Sequence, residues 1–399
     1  MAAELGERSR EEDVATRVEA ADASPDQVSM LVELMRERHP VYRGRSTNAT
    51  IRMRGYAMAA FERVGLPEPA LLYALEELES GREPYLVAAA AKALRGLIRR
   101  ERRLVPFLLR AIDNVRYHDD MVTFERYLPT WPAESPTTAL AEVFRTLGWL
   151  GPNAALALPR LTDFKAIQLP PVTRAALTRA ISEIQTDGVP EESSCCRRAD
   201  PRPFGILGRS EPVAASGAPP MSARFEDQDG LRLTYRDFFS GRPSVVVFFY
   251  TRCTNPNKCS LTITKLAELQ KQTAQLGLSE SVRTAAITYD PDFDLPPRLR
   301  AYGDNRGVVF ADDHRLLRAT RGFDAIATYF ELGVNYGPAA VNQHRIEAFV
   351  LDDNGRITTS FTRLQWDVRQ ILDEAIAAPA DGRRSGRGRS ELFGAAGTD

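Results

Sequence analysis

Four cysteines are present in the 399-residue sequence, and they fall into two close pairs, Cys195/Cys196 and Cys253/Cys259. Four thiols in so long a chain are too few for a structural disulfide framework, so their close spacing favours metal or redox chemistry. Adjacent cysteines rarely bridge each other comfortably. We therefore interpret Cys195 and Cys196 as unpaired thiols, with a relay of metal or electrons as the alternative, and the second pair as the candidate site.

The second cysteine pair lies between a predicted buried strand, residues 245–250, and a predicted helix that begins near Ser260. Strand, cysteine loop and helix follow one another in thioredoxin-like folds. A separation of six residues on a continuous helix turns about 240°, so the two thiols would not share a face. Pro256 and the two flanking asparagines favour a loop instead. Unpaired N–H groups at the start of the helix would favour the thiolate of Cys259.

The segments around this pair predict an α/β sheet. Residues 283–290 read as a second parallel strand, followed by a helix over 296–302 and another helix over 314–321. A hairpin over 347–361 turns through Asp352-Asp-Asn-Gly355, and His344 stands just before it.

The first half of the chain predicts an all-α repeat domain. Between residues 47 and 183, small-residue helices alternate with Leu-rich helices, as in residues 51–75 and 84–112. Alanine lets the paired helices pack closely, and leucine fills the core shared with the next repeat. These units resemble HEAT repeats, which implies a surface for docking a protein partner, and a lead-in helix is predicted after Ser24.

Composition divides the chain into five segments: a polar, disordered tail over 1–24, the repeat domain over 25–186, a flexible linker over 187–222, an α/β domain over 223–377 and a Gly/Arg-rich tail over 378–399. Lys and Arg total 52 against 53 Asp and Glu, so no overall field attracts nucleic acid. No apolar run is long enough to span a membrane, and no secretory signal is seen, which predicts a cytoplasmic protein.

The α/β domain resembles the Sco/SenC group of thioredoxin-like copper chaperones over about 150 residues. Three features match in order, and they are the strand and loop at 248–253, the Thr288-Tyr-Asp-Pro-Asp-Phe-Asp294 segment and the stretch from His344 to Gly355. The resemblance implies a copper site, with Cys253, Cys259 and His344 as ligands. Two thiolates and an imidazole suit Cu(I), which is a soft ion.

Two departures from the Sco pattern stand in the sequence. The family places three residues between its cysteines, whereas five separate Cys253 from Cys259 here, so copper ligation requires the loop to close. The family usually works outside the cytoplasmic membrane with an N-terminal anchor, so delivery of copper to a respiratory oxidase is not expected. Asp290 is either an outer residue that orients the site or a turn former, and the remaining histidines, His39, His118 and His314, are expected at the surface.

The sequence therefore predicts a helical-repeat domain linked to a Sco-like domain that binds copper or exchanges disulfides. One alternative is an enzyme, a thiol-disulfide reductase or peroxidase with Cys253 as nucleophile and Cys259 as resolving thiol. A second is an interaction protein whose redox site is a relic. No P-loop, G-x-G-x-x-G, H-E-x-x-H or G-x-S-x-G motif occurs, which disfavours nucleotide-dependent, zincin and serine-hydrolase functions.

Overall fold

A computed structural model of the chain describes residues 2–186, 217–338 and 341–378. Most of the predicted linker, with Cys195 and Cys196, and the predicted tail from residue 379 lie outside the described residues. The N-terminal half is helical, as predicted. Its helices are α1 (Ala2–Glu19), α2 (Pro25–Leu34), α3 (Thr47–Val64), α4 (Glu68–Ser80), α5 (Pro84–Leu94), α6 (Val105–Val115), α7 (Ala139–Leu150), α8 (Leu158–Asp163) and α9 (Pro171–Gln185), with a small ribbon of β1 (Met121–Val122) and β2 (Thr137–Thr138).

The helices of this half stack in two layers. Helices α3, α5, α7 and α9 pack side by side in one layer, while α4 and α6 pack together in the other. Small residues allow the close approach, because Ala88, Ala89, Ala90 and Ala91 are fully buried and a Cβ atom on Gly55 would lie 2.6 Å from the ring of Tyr85. The stack presents α4 toward the C-terminal half.

The expectation of a disordered tail over residues 1–24 differs from the structure, in which helix α1 occupies most of that segment. Ala15 and Val18 stand three residues apart on α1 and are both buried. The Val18 carbonyl accepts a hydrogen bond from Arg63, and Glu19 accepts one from Tyr56. Two small apolar residues at helical spacing are enough to dock an otherwise charged helix onto α3.

The C-terminal half is an α/β domain with a thioredoxin-like arrangement. Seven strands form one mixed sheet in the order β11-β10-β5-β6-β7-β3-β4. Its strands are β3 (Arg224–Asp227), β4 (Arg232–Thr234), β5 (Ser244–Phe249), β6 (Arg283–Thr288), β7 (His314–Arg321), β10 (Glu347–Leu351) and β11 (Ile357–Thr362). A second ribbon pairs β8 (Val334–Tyr336) with β9 (Val341–His344), and the helices are α10 (Tyr235–Phe239), α11 (Leu261–Gln275), α12 (Pro296–Asp304), α13 (Phe323–Tyr329) and α14 (Val368–Ala377).

Strand β5 lies at the centre of this sheet. All six of its residues are buried, and it runs parallel to β6 and antiparallel to β10. Strands covered on both faces read as unbroken apolar runs, which explains the sequence signal at residues 245–250. Helix α11 packs back on β5 and β6. The carboxyl end of β5 and the first turn of α11 therefore meet at one edge of the sheet.

The predicted helix over residues 314–321 is wrong, because these residues form strand β7. This strand pairs parallel with β6 and antiparallel with β3, and its first four residues are all buried. His314, expected at the surface, is 8% exposed, and its Nδ1 lies 2.9 Å from the Thr284 hydroxyl. Tertiary pairing on both sides of β7 outweighs the helical propensity of its Leu and Arg residues.

The burial of His314 predicts a pH effect on stability. Burial lowers the pKa of His314, while Asp313 opposes this only in part. The unfolded chain therefore takes up a proton more readily than the folded protein, so stability is lost as the pH falls below about 6.5. The His314→Gln variant should lose up to about 1.4 kcal/mol less stability per pH unit than the wild type in this range, measured by urea unfolding at pH 7.5 and 5.5. Equal losses in the two proteins would contradict the assignment.

The two halves of the chain meet at a buried cluster of charged side chains. Three carboxylates, all from the helical half, are balanced by three cations, and every member is 8% exposed or less. This interdomain cluster consists of Glu37, Arg54, Glu76, Glu77, Lys258 and Arg363.

Among the helices of the described residues, none is long and apolar enough to cross a bilayer.

Candidate thiol and metal centre

Three segments of the α/β domain bring Cys253, Cys259 and His344 to one place. Cys253 lies in the turn that follows β5, where its N–H donates to the Tyr250 carbonyl over 3.3 Å. Cys259 lies in the wide turn Pro256–Ser260, which leads directly into α11. His344 is the last residue of β9, and it pairs with Val334 of β8.

The loop between the two cysteines folds back on itself. The Asn255 side chain accepts a hydrogen bond from the Asn257 N–H over 2.9 Å, and Pro256 fixes the backbone between them. Lys258 then breaks the helical path, with φ of −112° and ψ of −105°. The five intervening residues thus close as a loop instead of carrying the two thiols to opposite sides of a helix.

The three side chains form one compact group. His344 Nε2 lies 3.4 Å from Cys253 Sγ and 3.5 Å from Cys259 Sγ, and all three atoms lie within 4.8 Å of one another. Both thiols are free. Cys259 and His344 are buried, whereas Cys253 is partly exposed.

The His344 ring is held in one orientation. Its Nδ1 lies 3.1 Å from the Arg345 carbonyl, which only accepts, so Nδ1 carries the hydrogen and Nε2 faces the thiols. The rings of Tyr250 and Tyr289 pack against the imidazole, with centroids 5.3 and 5.5 Å away. Tyr289 is itself fixed by a hydrogen bond to the buried Glu347. These contacts orient the imidazole and exclude water from one side of it.

The two thiols differ in acidity. A hydrogen bond from Cys259 and the hydrogen bond and charge of His344 together lower the pKa of Cys253 to about 3, although burial opposes them. Burial, followed by the hydrogen bond and negative charge of Cys253, raises the pKa of Cys259 well above its usual value. The expectation that the helix terminus would favour a thiolate at Cys259 is therefore wrong, because burial beside a second thiolate outweighs the helix dipole.

This asymmetry predicts selective alkylation. Iodoacetamide at pH 6 should modify Cys253 at least about ten times faster than Cys259, because only a thiolate reacts and Cys253 is also the more accessible thiol. Peptide mapping by mass spectrometry would separate these two cysteines from Cys195 and Cys196. Equal rates at Cys253 and Cys259 would contradict the asymmetry.

The residue that supports the Cys253 turn is Asp294, which the sequence did not single out. Its buried carboxylate accepts hydrogen bonds from the Thr251 N–H and hydroxyl and from the Thr288 hydroxyl, and so ties the end of β5 to the end of β6. Asp290, the predicted orienting residue, instead pairs with Arg252. Its described contacts lie beside the site and do not include Cys253, Cys259 or His344.

Lys258 is a second residue that the sequence did not single out. Its ammonium group donates to the His344 carbonyl over 2.9 Å and to Glu76 of helix α4 over 3.0 Å. Burial opposes its charge, but Glu76 and Glu77 raise the pKa of Lys258. The cysteine loop is thereby connected both to the backbone of His344 and to the helical half of the chain.

The site opens into a cleft of about 600 Å³ between the two halves. Cys253, Thr254 and Asn342 line the cleft on the side of the α/β domain, and Glu83 and Asp120 line it on the other. A molecule that reaches the Cys253 thiol through this cleft contacts both domains.

Cysteines in a strand, loop and helix arrangement, with a histidine from a neighbouring strand, define a thioredoxin-like domain with a thiol and imidazole centre. Residues 214–378 match the family model described as SCO1/SenC. The resemblance of this domain to the SCO1/SenC family, predicted from the sequence, is confirmed by this match. The match covers the C-terminal part of the chain only.

Solved structures similar to part of this chain include proteins named Sco or SCO1/SenC. A SCO1/SenC family lipoprotein from Bacillus anthracis is 21% identical, with a TM-score of 0.35, over 40% of this chain and 94% of that one. Arabidopsis thaliana ScoI with copper bound is 18% identical, with a TM-score of 0.33, over 39% and 94%. Yeast Sco1 with copper bound is 23% identical, with a TM-score of 0.30, over 40% and 93%. A search of curated proteins gave no match.

Proposed function

We propose that the α/β domain binds Cu(I) through Cys253, Cys259 and His344, and that the same two cysteines exchange disulfides. The observation that carries this proposal is the approach of the three donor atoms to within 4.8 Å of one another. The family match of the domain supports it. The helical repeats are proposed to dock a protein partner, with residues 25–186 and 223–377 acting as two domains joined by 187–222.

The donor set fits a Cu(I) ion. Two sulfurs and one imidazole nitrogen are the soft ligands that Cu(I) prefers over carboxylate oxygens. The two sulfur-to-nitrogen distances, 3.4 and 3.5 Å, place Cys253, Cys259 and His344 close enough together that they would hold one ion between them.

Each residue has a distinct part in binding. Cys253 would provide a thiolate, Cys259 would give up its proton on binding, and Nε2 of His344 already faces the two sulfurs. Tyr250 and Tyr289 shield the imidazole from water. Because binding displaces the Cys259 proton, the affinity for Cu(I) should rise with pH until that thiol is ionised.

Disulfide exchange uses the same asymmetry. The Cys253 thiolate attacks one sulfur of a partner disulfide, and the other partner sulfur leaves as a thiolate. Cys259 then loses its proton and attacks Cys253 Sγ, which releases the second partner thiolate and leaves a Cys253–Cys259 disulfide. Two electrons pass from the protein thiols to the partner disulfide.

The lowered pKa and partial exposure of Cys253 also favour a second candidate, a thiol-disulfide reductase in which copper plays no part. Tight binding of Cu(I) separates the two functions. A reductase exchanges disulfides without tight Cu(I) binding and keeps a comparable rate in the His344→Ala variant, whereas a copper site loses a ligand and its affinity for Cu(I) in that variant.

The direct test is an anaerobic titration of the reduced protein with Cu(I) against a chelator. We expect one tightly bound ion in the wild type and a loss of tight binding in Cys253→Ser, Cys259→Ser and His344→Ala. The Cys195→Ser/Cys196→Ser variant is the matched control and should bind as the wild type does. A wild type that does not compete with the chelator would refute the copper site.

A further inference from the structure

The loop between the two cysteines contacts the helical half of the chain at three points. Asn255 donates to the Ser80 carbonyl at the end of α4 over 2.7 Å. Asn257 donates to the Asn114 side chain on α6 over 3.0 Å. Lys258 donates to Glu76 over 3.0 Å. These three hydrogen bonds dock the loop on the helical half.

Glu76 stands at the centre of these contacts. One of its carboxylate oxygens accepts from Lys258, and the other accepts from Arg363 over 2.8 Å. Its side chain is 1% exposed, so both bonds lie in the protein interior. A buried carboxylate held from two sides has little freedom to move.

Lys258 connects Glu76 to the candidate metal site. It directly precedes Cys259 in the chain, and its ammonium group also donates to the carbonyl of His344. A single side chain thus connects the loop of one ligand to the backbone of another, and both to Glu76.

We infer that Glu76 and Lys258 are positioning residues for the copper site, so that docking of the helical domain preorganises Cys259 and His344 for the ion. This inference rests on the proposed function. Outer contacts of this kind typically change metal affinity by about 10- to 100-fold. The helical domain is then a structural part of the metal site as well as a surface for partners.

The test uses the full chain with three variants, Glu76→Gln, Lys258→Met and the two combined. Either single variant upsets the balance of three carboxylates and three cations in the interdomain cluster, whereas the double variant removes one of each and should recover stability. If the pair positions the site, the double variant is close to the wild type in its urea midpoint but still binds Cu(I) at least about tenfold more weakly. The Glu142→Gln variant is the matched control, because Glu142 is a buried carboxylate that pairs with Arg95 and Arg145 inside the helical half.

X-ray absorption of the copper-loaded variants measures the imidazole contribution to the site, which a loss of stability alone does not change. We expect a weaker imidazole contribution in Lys258→Met and in the double variant, and an unchanged one in Glu142→Gln. A double variant that regains wild-type affinity together with its stability, or single variants that bind Cu(I) as the wild type does, would overturn the inference.

A measurement without copper separates this inference from the proposed function. In the metal-free protein, removal of Lys258 should loosen the loop and raise the rate of backbone deuterium labelling in the peptide that contains Cys259 by at least about tenfold. Suppose that the wild type binds no Cu(I), but that this labelling increases in Lys258→Met and in the double variant and not in Glu142→Gln. The copper function is then refuted and the positioning role is supported. If labelling of this peptide is unchanged, the positioning role falls as well.

Discussion

Replacing Arg363 by methionine should lower the free energy of unfolding by about 3–5 kcal/mol. Arg363 lies in the α/β domain, and its guanidinium donates to both oxygens of Glu37 and to Glu76 over 2.8–3.0 Å. It also stacks over the Tyr73 ring, 3.7 Å from the centroid. Methionine keeps much of the apolar volume but leaves two buried carboxylates short of a cation, and desolvated charges without partners are costly.

The measurement is the urea unfolding curve of the full chain at pH 7. The comparison variant is Arg300→Met, which breaks an Arg–Asp pair inside the α/β domain at an exposed position. Exposed pairs are worth about 0–1 kcal/mol, so this variant should change stability little. A loss below about 1 kcal/mol in Arg363→Met would show that the interdomain cluster does not stabilise the fold.

The same cluster should respond to acid. Burial would raise the pKa of Glu37, but Arg363 and Arg54 lower it below the usual 4.5. A carboxylate whose pKa is lowered by folding contributes stability above its unfolded pKa, and that contribution is lost as the pH falls below about 4.5. In Arg363→Met the loss of stability below about pH 4.5 should be smaller, because Arg363 no longer lowers the pKa of Glu37.

The second prediction with a large effect concerns the product that the Cys259→Ser variant forms with oxidised glutathione. Treated with oxidised glutathione, the wild type should finish with a Cys253–Cys259 disulfide and release two glutathione thiols. The variant has no second thiol to complete the exchange, so Cys253 should remain bound to glutathione as a mixed disulfide. The mass of the Cys253 peptide, which includes the added glutathione only in the variant, distinguishes the two products.

The Cys195→Ser/Cys196→Ser background removes competing thiols from this experiment. In that background, Cys253→Ser/Cys259→Ser should form no adduct. A Cys259→Ser protein that stays unmodified would show that Cys253 does not act as the nucleophile. A wild type that accumulates the mixed disulfide would show that Cys259 fails to resolve it.

The order of strand, cysteine loop and helix could be predicted from the sequence because each signal is local. The unbroken apolar run of β5 marks a strand that is buried on both faces, and the cysteines follow it immediately. The hairpin of β10 and β11 carries its own turn residues. Local patterns of this kind, together with the family motifs, were enough to identify the domain and to select the three candidate ligands.

The features that could not be predicted depend on contacts between distant residues. Strand β7 was predicted as a helix because its pairing with β3 and β6 leaves no signal within residues 314–321 themselves. Glu76 sits on a helix rich in Leu and Glu, where nothing in the sequence distinguishes it from the exposed Glu68 of the same helix. Only the folded chain shows that Glu76 faces Lys258, 182 residues away. Asp294 belongs to the motif recognised at residues 288–294. Its hydrogen bonds to Thr251 and Thr288, which distinguish it from Asp290, are visible only in the fold.

The pairing of Glu37 with Arg363 joins residues 326 positions apart. Chains emerge from the ribosome N-terminus first, and domains usually fold as units during synthesis. The helical half therefore leaves the ribosome with Arg54 beside Glu37 but without Lys258 and Arg363, and the α/β domain has to be almost complete before Arg363 is available. Final closure of the cysteine loop onto α4 would then wait for the α/β domain, so a nascent chain would be a poor acceptor for copper until Arg363 has emerged.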